Sequence, residues 1–162
     1  MPHDFSLQLR QTIDHELPHL QALSDEHSSC KPAGPESWSP RQELGHLIDS
    51  AANNHLRFVR AATEPEFRGV GYAQNAWVDI HGYQDMSWIT IIGFWYQYNC
   101  FLAGLVHQIP PDKLQTPCYI GNAPAAALGF VIEDYILHMQ HHIDQLLGRQ
   151  TIRTYPGATA KD

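Results

Sequence analysis

The chain has 162 residues, is 43% apolar, and carries 10 Lys plus Arg against 17 Asp plus Glu, for a formal net charge of −7. Those figures fit a single domain over residues 1–162 with a real core and exclude a disordered chain. The acidity argues against a nucleic-acid partner, while 11 histidines raise the question of a bound metal.

The first predicted helix runs from about Asp4 to Leu23, with Phe5, Leu9, Ile13, Leu17 and Leu20 on one stripe. Its start has no basic region followed by an apolar one, so no secretory signal is expected there. Ser24 to Trp38 reads as a loop rich in Ser, Pro and Gly. Ser39-Pro40 then opens a second helix to about Ala62, as an N-cap followed by Pro at the first helical position. Glu43 lies near enough to assist that helix start electrostatically. Its apolar side holds Leu44, Ile48, Ala51, His55, Phe58 and Val59. Thr63 to Gln84 reads as a long packed loop with a short helix around Ala73 to Asp79. Asp85 is the expected cap of a third helix, Met86 to about Ile109, stopped by Pro110-Pro111. A loop over Pro110 to Pro124 leads to a fourth helix, about Ala125 to Leu147, ended by Gly148. The expected fold is all-α: a four-helix bundle with long connecting loops.

No run approaches roughly 18 uninterrupted apolar residues, so no membrane partner is expected. Cys30, Cys100 and Cys118 form no disulfide framework, and a cytoplasmic protein with reduced thiols is the expectation.

The histidines separate by the way each points. His15-Glu16-Leu17-Pro18-His19 spells H-E-x-x-H, but both imidazoles lie opposite Ile13, Leu17 and Leu20, and Pro18 should kink the helix. His138 and His142, one helical turn apart, fall on the edge of the apolar stripe of the fourth helix. They can share a metal or be core-edge histidines held by ordinary hydrogen bonds. His141 falls outside the stripe. On the second helix His55 belongs with the apolar side. His46 shares a polar strip with Asp49, Ser50, Asn53 and Arg57, either a solvated face or the wall of a polar pocket. His46, His138 and His142 would together make a three-imidazole site between two bundle helices.

Trp38-Ser39-Pro40 with Leu44-Gly45-His46-Leu47-Ile48-Asp49-Ser50, followed later by His138-Met139-Gln140-His141-His142-Ile143-Asp144-Gln145, resembles the DinB-like superfamily. The resemblance covers essentially the whole chain. It implies a four-helix bundle of unusual connection order. It also implies a divalent metal ion, often nickel, zinc or iron, held by His46, His138 and His142. Many relatives have Gly where this chain has Asp144.

Three neutral imidazoles leave a divalent ion with its full charge and open positions, which suits activation of water or a thiol. The resemblance suggests thiol S-transferase chemistry on a small-molecule substrate with a low-molecular-weight thiol. A metal-dependent hydrolase, a non-catalytic metal- or ligand-binding stress protein, and a metal-free dimeric scaffold are the other readings. Asp49, Asn53 and Asp134 are candidates to orient the imidazoles or to be solvated helix residues. Arg57 can bind a substrate carboxylate or form an exposed salt bridge. Tyr72, Trp77 and Tyr83 cap a pocket or fill the core, and Cys118 reads as an ordinary loop thiol. Phe94-Trp95-Tyr96 with Tyr98 and Phe101 cover more than one helical face, which points to a homodimer.

Overall fold

In the computed structural model, which describes residues 4–157, Asp4 caps the first helix by accepting the Leu7 N–H at 3.0 Å. Helix α1 (Phe5–Ala22) continues through Pro18 and buries Leu9, Ile13 and Leu20 completely. His15 and His19 face outward, as their projection requires, while Glu16 between them turns inward. The stretch read as a loop after α1 contains a short helix, α2 (Asp25–Ser29), capped by Ser24. Five residues are too few to carry a readable helical period. Helix α3 (Pro40–Thr63) starts with a full capping box, in which Ser39 and Gln42 satisfy each other's backbone N–H groups.

The connection after α3 holds strand β1 (Phe67–Gly69) and helix α4 (Gln74–His81). A 3-10 turn at Tyr83–Asp85 then uses Asp85, so Ser87, not Asp85, caps the third long helix, α5 (Trp88–Gln108). Strand β2 (Pro117–Ile120) pairs in parallel with β1, matching Phe67 to Cys118, and antiparallel with β3 (Ala126–Ala127). The fourth long helix, α6 (Leu128–Leu146), therefore begins three residues later than expected, because Ala126 and Ala127 are held in the sheet. These strands of two to four residues carry no usable alternation, which is why the sequence shows only helices.

The four long helices form the bundle. Helix α1 packs on α5 and α6, and α3 packs on the same two, so the consecutive long helices α1 and α3 stand diagonally opposed. The small sheet joins the α3–α4 connection to the α5–α6 connection. Helix α5 is long and apolar enough, with a mean hydropathy of 1.3, to cross a membrane. In the bundle its inner face meets α1 and α3, with Trp95 wholly buried and Trp88 donating Nε1–H to the Leu20 carbonyl at 3.0 Å. Phe94 and Phe101 lie on its exposed side.

Candidate metal centre

The α3 capping box fixes the start of the helix that carries His46, which is completely buried two turns further on. Gly45 beside it answers a packing need: a Cβ there would lie 2.2 Å from the Tyr83 ring. The Trp38 ring packs on His46, with ring centroids 5.0 Å apart. From α6, His138 and His142 bring their ring centroids to 5.0 and 4.6 Å from His46 and 4.5 Å from each other. One ring nitrogen from each of the three lies within 4.8 Å of the others.

The donor set fits a divalent ion. His46 Nε2 and His138 Nε2 face each other at 3.1 Å. Nitrogens bound about 2.1 Å from one ion at angles of about 90–109° lie about 3.0–3.4 Å apart. The other His pair singled out above, His15 and His19, has rings 5.3 Å apart on an exposed face, and no third ligand joins them among the described residues.

His142 gains its orientation from Glu43. The two meet across the α3–α6 interface with His142 Nδ1 2.5 Å from Glu43 Oε1. A carboxylate can only accept, so Nδ1 carries the hydrogen and Nε2 is left as the ligand atom. The three residues expected to orient imidazoles are engaged as follows. Asp49 accepts from Tyr83 Oη at 2.7 Å and from His81 Nδ1 at 2.8 Å. Burial pushes its carboxyl above the usual carboxylate value, with those two bonds opposing the rise. The Asn53 amide donates to the Asp49 carbonyl within the helix. Asp134 accepts from Gly157 N–H at 2.8 Å.

A cavity of about 1010 Å3 reaches the cluster at His138. Ser50 and Arg57 of the polar strip of α3 form part of its wall, with the neighbouring Asn54, so that part of the strip is not a solvated face. Tyr72 also lines it, its hydroxyl pushed up to about 12, mainly by burial. Cys118 is buried in the wall, and burial pushes its thiol up too, which makes it a poor nucleophile. Of the other loop aromatics, Tyr83 is core, and Trp77 stands between Tyr72 and His81. His55 is held by Tyr98 Oη at 3.0 Å and packs on Phe101, remote in role from the cluster.

The sequence model of the DinB superfamily matches residues 8–146. The chain belongs to the DinB superfamily. Among solved structures it is similar to YfiT from Bacillus subtilis, with a TM-score of 0.77 and 20% identity over 90% of this chain and 85% of that one. YfiT is described as a probable metal-dependent hydrolase with an unusual four-helix bundle topology. At that identity the likeness establishes the fold. No curated protein matches.

Within this DinB-superfamily bundle, Asp144 has a visible partner set. Asp144 and Glu16, each about 1% exposed, share Arg149 and Arg153 from the segment that follows α6. The contacts include Arg149 Nη2 to Glu16 Oε2 at 2.6 Å and Arg153 Nη2 to Asp144 Oδ1 at 2.7 Å. Thus anchored, the segment folds back along α6. It stands the Tyr155 ring edge-on to His138 at 4.9 Å and ties Gly157 to Asp134. Tyr155 and Gly157 line the cavity, so this latch builds one of its walls. Sequence reasoning assigns Glu43 only a role at the helix start, not its bond to His142, and does not find the latch. The signals available were an acid one turn before His46, and two arginines just beyond a helix containing an inward acid.

Proposed function

We propose that this protein is a metal-dependent enzyme, with His46, His138 and His142 as the ligands of one divalent ion and the adjoining cavity as its substrate pocket. The carrying observation is the convergence of three imidazoles, one of which, His138, also lines that cavity. When bound, the ion supplies Lewis acidity, which polarises an electrophile and lowers the pKa of a water or thiol that joins it. The chain's own residues do the rest. Glu43 holds His142 in the ligand tautomer, and Trp38 and Tyr155 pack against His46 and His138 and restrict the freedom of the rings. Apolar walls at Ile120, Val131 and Tyr135 exclude water from around a bound substrate.

The reaction we favour is transfer of a low-molecular-weight thiol to a small electrophile. A volume of about 1010 Å3 is at the upper end of ordinary ligand pockets and suits two small reactants. Cys118, with its raised thiol pKa, offers no competing internal nucleophile. Hydrolysis is the second reading, favoured by the description of YfiT. The test is incubation of metal-loaded protein with small thiols and a haloarene, and separately with esters and amides. Thiol-dependent turnover lost in His142→Ala supports transfer. Turnover of esters or amides without thiol, lost in the same variant, replaces it with hydrolysis.

A further inference from the structure

Arg57 is the exception among the seven arginines of the chain. The other six each have a carboxylate partner: Arg10 with Asp14, Arg41 with Asp25, Arg60 with Glu64, Arg68 with Glu66, and Arg149 and Arg153 with Glu16 and Asp144. Arg57 is partly buried, lines the cavity, and has no ion pair among the described residues. Its guanidinium, with five donor hydrogens, makes one long hydrogen bond, 3.4 Å to Asn54 Oδ1. Burial pulls its pKa below the ordinary value, yet a guanidinium stays charged. The Asp134 carboxylate acts on it electrostatically without forming a salt bridge. A cation withdrawn from water with no direct ion pair is costly, and a ligand anion in contact with it would relieve that cost.

The fold also gives this cation a fixed relation to the metal centre. Arg57 follows His46 by eleven residues on α3, which returns it to nearly the same helix face about 16 Å along the axis. The one acid on the cavity wall, Asp134, accepts from Gly157 N–H through Oδ1 and lies within electrostatic reach of Arg57 but does not form a salt bridge with it. The walls between are largely apolar or neutral, including Ile120, Val131 and Tyr135.

We infer that the cavity takes a small organic anion, whose carboxylate pairs with Arg57 and whose apolar body extends toward His138. The inference rests on the reading of this cavity as the substrate pocket and names the substrate class: an electrophile or ester carrying a free carboxylate. A planar carboxylate matches the guanidinium fork in two parallel hydrogen bonds, which a neutral amide cannot reproduce.

The test uses matched pairs of carboxylic acid and primary amide: benzoate with benzamide, phenylacetate with phenylacetamide, and hexanoate with hexanamide. Binding is followed by protein-observed NMR on wild type, Arg57→Met, Arg57→Lys and His142→Ala, each with and without added Zn²⁺. At least one acid should bind wild type about tenfold or more tightly than its amide. That preference should vanish in Arg57→Met, survive in part in Arg57→Lys, and persist in His142→Ala. Metal uptake by Arg57→Met should equal that of wild type. No acid preference in wild type, or an undiminished one in Arg57→Met, overturns the inference. A preference that follows the metal, lost in His142→Ala and kept in Arg57→Met, overturns it too, because the acids would then be ligating the ion. Failure of His142 variants and wild type alike to take up metal, with the Arg57 preference intact, would instead remove the metal reading and leave the anion site.

Discussion

His142 Nδ1 and Glu43 Oε1 meet at 2.5 Å across the interface of α3 and α6, so an acid from one helix fixes the tautomer of an imidazole from the other. Replacing Glu43 by Gln leaves the three imidazoles in place but removes the charged acceptor. Metal affinity should fall by about 10- to 100-fold, measured by competition with a chromophoric chelator, with the helical circular dichroism unchanged. Unaltered affinity would mean that Glu43 is only a helix-start residue.

Gly45 is pressed against the Tyr83 ring, with 2.2 Å between the ring and the place a Cβ would take. Gly45→Ala must push Tyr83 aside and strain its bond to Asp49. Overpacking of this kind should cost about 1–3 kcal/mol in urea denaturation. A variant as stable as wild type would contradict the packing explanation for the Leu44-Gly45-His46 sequence.

The latch between Glu16 and the arginines should show in the acid stability of the protein. Burial alone would raise the Glu16 carboxyl, but the bonds from Arg149 and Arg153 hold it below its ordinary 4.5. A carboxyl depressed in the folded state contributes stability that is complete above its unfolded value and is lost as pH falls through the folded value. Glu16→Gln should therefore cost about 1–3 kcal/mol at pH 7 and show a shallower loss of stability at acid pH than wild type. Urea titrations across that range measure both, and parallel pH profiles for the two proteins would refute the assignment.

Much of this was legible in the sequence because helices write their geometry into it. The apolar stripe of α6 places His138 and His142 at its inner edge, and the polar strip of α3 gathers His46, Asp49, Ser50 and Arg57, before any coordinate is known. What stayed hidden depends on how elements cross. Glu43 acquires its role from the approach of α6. Asp144 finds its arginines when the chain folds back past Gly148, whose positive φ of 65° turns it. Asp49 shares the strip with His46 but turns to Tyr83 and His81, which come from the α3–α5 connection. The exposed salt bridge that Arg57 could have made is absent among the described residues, because its side of α3 faces the cavity and not solvent.

The proposed function stands on His46, His138 and His142 holding one divalent ion. Metal content of protein made without an affinity tag, compared between wild type and His142→Ala of equal circular dichroism, tests it most directly. The expected result is about one equivalent of a divalent metal in wild type and a large loss in the variant. Negligible metal in both, or equal metal in both, would contradict it.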